Sequence, residues 1–303
     1  MCFEKIYIEL SDLCGLKCSF CPSVKGVRGA MSLDDFKIIA SKLAKKSRIY
    51  AFHLLGDPLI LPNLAEFIEV AKAHKMPLEL TTSGFYMSKE NQALLLKSKN
   101  LRQINFSLIS FLDQKRIKFW DYFDPLLSFL HSYVESKNQG FVNLRLWNLK
   151  ADLIFSSQNE PIYSLLEDRF KIKINRSAVK NRLANRLILH QARRFSWANS
   201  SKDFLKDAHN KPLNSKQSNI FKKSCHGLKK QIGILSNGTV VPCCMDTRGE
   251  IALGNLLKQE LNEILNTPRA QAMKRGFERG EFVERLCRGC EFGPSKTSLK
   301  GLN

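Results

Sequence analysis

This chain of 303 residues contains no run of 18 apolar residues, so no transmembrane helix is expected. Its opening, "MCFEKIYIEL", lacks the basic n-region and apolar h-region of a secretory signal. Both absences point to the cytoplasm. Thiols stay reduced there, so the nine cysteines are expected to serve metal or redox chemistry and not structural disulfides. None of the six histidines pairs with a cysteine in a recognisable nucleophilic arrangement, and His53 reads as a core histidine inside a buried strand. Acids are scarce: 28 Asp and Glu stand against 48 Lys and Arg, a net charge of +20. The excess is concentrated, since residues 171–230 hold sixteen Lys or Arg and only two acids, Asp203 and Asp207, a net +14. Such a segment attracts nucleic acid, acidic peptides or phosphorylated substrates. No aromatic-interleaved nucleic-acid motif accompanies it, so a solvated basic face is the plainer reading.

What is present is ordinary in bulk. Hydrophobic residues make up 44% and charged residues 25%, so a core of normal size forms and metal is not needed merely to fold the chain. The length suits one large α/β domain, alone or with a small appendage. Strand-like and helix-like stretches alternate. "KIYIEL" reads as a strand, and "SLDDFKIIASKLAKK" as a helix with Ser32 as its N-cap. "RIYAFHLL", "PLELTTS", "QINFSLI" and "VNLRLWNL" are the next four strands, each followed by a helical pattern, and "KIKI" at 171–174 is the sixth. Six β/α units in a row predict a parallel sheet with right-handed crossovers. Six are too few for the full eight-stranded barrel, so the expected fold is α/β, a partial (β/α)6 TIM-like barrel. Functional groups then gather at the C-terminal ends of the strands.

The motifs sit there. "CGLKCSFC" follows the first strand and supplies Cys14, Cys18 and Cys21 within eight positions. "LGDP" follows the second, and "TTSG" closes the third. Thiolates at this density bind zinc or iron–sulfur clusters. Three ligands on one loop leave a cubane with one open iron, where a substrate or cofactor can bind. The alternative is a zinc knuckle completed by a distant Cys or His.

The C-x3-C-x2-C triplet after a first strand resembles the signature of the radical S-adenosylmethionine (SAM) superfamily. In that family the fourth iron is chelated by the amino and carboxylate groups of SAM, and an electron from the cluster splits SAM into methionine and a 5′-deoxyadenosyl radical. The resemblance extends to "LGDP", similar to a "GGEP"-type turn, in which Gly56 and Asp57 are kept in type and the first glycine is replaced by Leu55. It implies SAM-side roles for Phe20, beside the adenine, for Ser107, and for Arg145 as a carboxylate-binding arginine. The acid that often follows the serine by two positions is absent, since Ile109 stands there.

The last third reads "CHGLKKQIGILSNGTVVPCCMD", then "GNLLKQELNEILN", then "CRGC". "ILSNGTVVPC" predicts a β-hairpin with an Asn237-Gly238 turn, which brings Cys225 towards Cys243. Four thiolates, with Cys287 and Cys290, complete a closed site, either structural zinc or a fully ligated cluster. The stretch resembles the SPASM auxiliary-cluster domain or its shortened twitch form. A full SPASM domain has further cysteines after the CxxC and this chain has none after Cys290, so the resemblance implies one auxiliary [4Fe-4S] cluster held by Cys225, Cys243, Cys287 and Cys290. Cys243 and Cys244 are adjacent and point to opposite faces of a strand. Cys244 and Cys2 are read as non-ligands. Trp197, in "FSWANS", is read as core packing.

The expected organisation is a radical SAM core barrel at 1–175, a basic linker or lid at 176–220 and the auxiliary domain at 221–303. The resemblance implies hydrogen abstraction from a substrate C–H bond, an auxiliary cluster that assists oxidation or cross-linking, and a flavodoxin- or ferredoxin-type electron donor. The substrate is expected to be a small molecule or a peptide. No separate peptide-recognition domain precedes the barrel, which weakens the peptide case. Two other classes stand beside this one: an RNA-modifying or RNA-binding protein, carried by the +14 segment, and a non-catalytic Fe–S or zinc scaffold.

Overall fold

The computed structural model describes residues 2–22, 28–136, 138–149, 156–194, 197 and 225–290. Five strands form where the alternation places them: β1 (Phe3–Ile8), β2 (Ser47–Phe52), β3 (Leu78–Thr82), β4 (Leu101–Ser107) and β5 (Phe141–Leu149), neighbours in that order and all parallel. Between them run α1 (Leu33–Leu43), α2 (Leu64–Ala73), α3 (Lys89–Lys97), the short α4 (Ile109–Leu112) and α5 (Phe119–Glu135), with α6 (Glu160–Phe170) after β5. Local chemistry starts these helices. Ser32 is extended and its hydroxyl accepts from Asp35 N, and Ser88 does the same for Asn91 N. The apolar faces pack on the outside of the sheet. Phe36 of α1 meets Phe52 of β2 edge-on at 5.6 Å and Phe67 of α2 at 5.2 Å.

The sixth strand lies elsewhere than the alternation of "KIKI" suggests. Lys171 caps α6 in the left-handed conformation, φ 52°, and residues 171–174 form no strand. The chain instead makes a hairpin, β6 (Lys180–Ala184) and β7 (Leu187–Arg193), turning at Arg186 with φ 59°. β7 is the sixth parallel strand, paired with β5. Leu187, Leu189 and Gln191 are buried on one face of it. The sheet therefore runs to Arg193, past the expected barrel boundary at 175 and into the segment read as a basic linker. Most of the remainder of that segment lies outside the described residues.

The C-terminal region joins the same sheet. β8 (Gln231–Ile234) runs parallel to β1, and β9 (Thr239–Val241) and β10 (Gly254–Asn255) continue antiparallel. The Asn237-Gly238 turn closes the β8–β9 hairpin with Gly238 at φ 80°. Three helices follow: α7 (Leu261–Leu265), α8 (Pro268–Arg279) and α9 (Arg285–Arg288).

Inside the barrel the alternation has an unusual consequence. Ile6, Ile8, Leu78, Leu80, Ile104 and Phe106 are buried in the apolar core, so their neighbours Lys5, Tyr7, Glu79, Thr81 and Asn105 sit on the other face. A full TIM barrel fills its interior with branched apolar residues. This lumen is polar: Asn105 Nδ2 donates to Glu79 at 3.0 Å, Gln103 donates to Asn105 at 2.8 Å and Asn143 donates to Asn105 at 3.2 Å.

Candidate active site and second thiol site

The cysteine loop is tied at both ends. Glu9, fully buried just after β1, takes Arg28 in a two-pronged ion pair at 2.9 and 2.8 Å. The Asp12 carboxylate accepts from Arg28 N and Gly29 N, and Ser11 bridges to Ala30. Side chains from later loops brace the middle. Tyr86 Oη donates to Cys14 O, Ser19 is held by Asp113, and Gln114 Nε2 donates to Cys18 Sγ at 3.4 Å. Burial and mutual repulsion push the Cys14 thiol up to about 11 and Cys18 up to about 12, and burial raises Cys21 as well. Unmetallated, these thiols stay protonated. Bound iron supplies the positive charge that makes them thiolates.

Gly56 lies against this loop. Its φ is 71°, and a Cβ there would collide with the carbonyl oxygens of Ser11 and Leu13. Asp57 N donates to Leu13 O at 2.9 Å, so the turn after β2 and the cysteine loop form one backbone-bonded unit. The Asp57 side chain turns away. It is 1% exposed and accepts from Ser83 N at 2.7 Å, Ser83 Oγ, Thr82 Oγ1 and Leu59 N. It does not line the cavity, and burial raises its pKa although these hydrogen bonds oppose the shift. Its carboxylate stitches the "LGDP" turn to "TTSG".

The other expected residues converge. Cys14, Cys18, Cys21, Phe20, Gly56, Ser107 and Arg145 all line one cavity of about 280 Å3. Ser107 at the end of β4 faces Arg145 in the middle of β5 in register. Arg145 also lies 3.5 Å from Glu79 and stacks 4.7 Å from the Trp147 ring centre. The cavity reaches residues that motif reading missed: Lys5, Tyr7, His53, Glu79 and Cys244. Their signal was the polar half of each strand's alternation. His53 is not a core histidine of a strand. It follows β2 and faces the cavity, and burial together with Arg145 pushes its pKa down to about 4. Trp197 lines the cavity too.

The second thiol group lies behind the β8–β9 hairpin. Cys225 precedes Gly227, whose N–H donates to its Sγ at 3.3 Å. Cys243 follows β9, Cys287 lies in α9, and Cys290 comes just after it. Burial raises Cys243 well above the ordinary thiol value, with Cys225 and Cys287 close enough to add to the shift. Burial and then Cys225 and Cys290 push Cys287 up to about 12. Among the described residues no three His, Cys, Asp or Glu side chains close on a single ion. Cys243 and Cys244 part company, with Cys244 and Met245 in the wall of the cavity.

Comparison with known proteins fits this geometry. The Radical SAM superfamily matches residues 8–143, and the iron-sulfur cluster-binding domain SPASM matches residues 225–291. The chain carries a radical SAM domain followed by a C-terminal SPASM-type domain. Its cofactors are a [4Fe-4S] cluster with SAM, and an auxiliary iron–sulfur cluster. Among curated relatives, a GTP 3',8-cyclase of Campylobacter fetus is 26% identical over 172 residues, 53% of this chain and 50% of that relative. The chain thus spans about half the length of the curated relatives it matches. BtrN, solved in complex with AdoMet and 2-DOIA, superposes with a TM-score of 0.60 at 14% identity, over 96% of this chain and 94% of its own. Streptococcus suis SuiB, bound to precursor peptide SuiA, gives 0.56 at 15% identity, over 90% and 67%. These likenesses establish the fold of this radical SAM enzyme. No helix among its described residues is long and apolar enough to cross a membrane.

Proposed function

We propose that this enzyme cleaves SAM reductively and uses the resulting radical to take a hydrogen atom from a C–H bond of a substrate held in the barrel lumen. Cys14, Cys18 and Cys21 hold the first cluster, and Cys225, Cys243, Cys287 and Cys290 hold the auxiliary one. Together with SAM, the first cluster supplies the 5′-deoxyadenosyl radical. The chain's own residues do the placing. The backbone at Gly56, fixed against Ser11 and Leu13, offers the amino group of SAM a preset surface. Ser107 and Arg145 receive its polar groups from β4 and β5, and Phe20 covers the cysteine-loop side.

One observation carries the reading. All three loop thiols share a single cavity with Gly56, Ser107 and Arg145, and Cys244 of that cavity's wall is the immediate neighbour of Cys243. A substrate in the lumen is therefore one residue from the second thiol site. That proximity favours a two-electron oxidation or cross-link, since a cluster held at Cys243 would offer an acceptor for the second electron. The substrate is a small molecule, or one side chain of a peptide. A flavodoxin- or ferredoxin-type protein supplies the initiating electron.

The test is anaerobic reconstitution with iron and sulfide, followed by SAM and dithionite. 5′-Deoxyadenosine and methionine are expected. Formation of 5′-deoxyadenosine by a protein with Cys14, Cys18 and Cys21 all replaced by Ala would overturn the assignment.

A further inference from the structure

The lumen floor carries a charge imbalance. Among the described residues, Glu79 is the only carboxylate lining the cavity, against Lys5, Arg145 and Arg194. Two of those cations share it: Lys5 Nζ lies 2.5 Å from Oε2, and Arg145 Nη2 lies 3.5 Å from Oε1. One carboxylate cannot neutralise both, and an uncompensated buried charge is costly. Donors are left over. Among the described residues Arg145 Nε has no hydrogen-bond partner although it is buried, and the guanidinium is held against Trp147. Lys5 gives one of its three protons to Glu79. Arg194 stands at the rim, 5.8 Å from the centre of the Phe20 ring. His53 reports the same field, since Arg145 and Lys5 both help hold it neutral after burial.

We infer that the substrate carries an anionic group, a carboxylate or a phosphate, that docks between Lys5 and the open edge of Arg145 at the lumen floor. Such a group completes the half-neutralised Lys5–Glu79–Arg145 triad. Arg194 at the rim steers it inward. Bound there, the anion fixes the rest of the substrate beneath Ser107 and Phe20, with its reacting C–H bond towards the cysteine loop. The inference rests on the radical SAM reading of the upper cavity. It differs from SAM binding at Lys5, which has no part in holding SAM, whereas Arg145 lies within reach of both ligands.

The experiment uses reconstituted anaerobic holoenzyme saturated with SAM. Succinate, glycerol 3-phosphate and neutral glycerol serve as probes, and binding is read by equilibrium dialysis with labelled compound. One or both anions bind, glycerol does not, and whichever anion binds more tightly identifies the group. Lys5→Met is expected to weaken anion binding about tenfold and Lys5→Arg to restore it, whereas Glu79→Gln is expected to tighten it about tenfold because a competing carboxylate is gone. SAM affinity, measured in the same samples, is unchanged in Lys5→Met. Opposite signs in Lys5→Met and Glu79→Gln cannot come from general destabilisation. Equal binding by wild type and both variants, or no anion binding to SAM-loaded wild type, overturns the inference while leaving the radical SAM reading intact. Failure of wild type to bind SAM overturns both.

Discussion

The two thiol sites are assembled in opposite ways. Cys14, Cys18 and Cys21 come from one loop within eight positions, and distant side chains such as Tyr86 and Gln114 merely brace it. Cys225, Cys243, Cys287 and Cys290 come from a strand approach, a hairpin exit and a helix end spread over 66 residues. The first set faces a cavity, and the second sits behind a hairpin. A loop can present three ligands and leave a metal face uncovered, because nothing on its far side is required to close. A site gathered from three separate places closes by construction. Openness here follows from chain topology more than from the number of sulfurs.

The sharpest way to break that comparison is to remove one ligand from each site. Cys18→Ala is expected to abolish 5′-deoxyadenosine formation. Cys243→Ala is expected to leave it measurable while turnover of the true substrate collapses. Iron should fall from about eight per chain to about four in Cys243→Ala, as the loss of one cubane requires. Loss of SAM cleavage in both variants would give the second site a purely structural role.

Gly56→Ala tests whether the first site depends on its backbone seam. The new methyl group meets two carbonyl oxygens at a positive φ, so a loss of about 1–3 kcal/mol is expected, together with weakened SAM binding. Thermal melting and SAM dialysis measure the two effects. An unchanged SAM affinity would separate the "LGDP" turn from the ligand.

Much of this was legible beforehand, and the exceptions share a cause. The triplet, the Asn237-Gly238 hairpin and five of the strands are local patterns, readable within a dozen residues. Asp57 was legible as a motif residue but not in its role, because Ser83 and Thr82 arrive from another strand. Lys5, Glu79 and His53 were hidden because alternation tells that a strand has two faces, not which one is lumen. β7 was masked by charge: Arg193 and Arg194 made "RLILHQARR" look like part of a basic linker, although Leu187 and Leu189 alternate correctly.

Asp57→Asn is a smaller perturbation. The amide keeps one acceptor oxygen, so part of the hydrogen-bond set with Ser83, Thr82 and Leu59 survives, and a loss of roughly 1–2 kcal/mol is expected by denaturant titration. No loss would show that the stitch between the second and third loops is redundant.

The least effect concerns pH. Burial alone would raise the Glu79 carboxyl, but Lys5 and Arg145 outweigh it and hold its pKa below the ordinary value. A lowered folded-state pKa contributes stability that is present above the unfolded value and lost as pH falls through the folded one. Wild type should therefore be more stable than Glu79→Gln near neutral pH, and the difference should shrink on acidification below the ordinary Glu range. A melting-temperature difference independent of pH would remove charge from the account of the lumen floor.

The pairing of β8 with β1 reaches into how the molecule is made. β1 is made well before its register partner, Gln231–Ile234, leaves the ribosome. Until that strand emerges, β1 has one bare edge, the kind of surface on which chains stick to one another. The contact is long-range, and such closures are slow. β8 thus covers the β1 edge of the sheet, so expression of the first seven strands without it should give aggregates, and cellular chaperones have the most to guard in the interval between the first strand and the eighth.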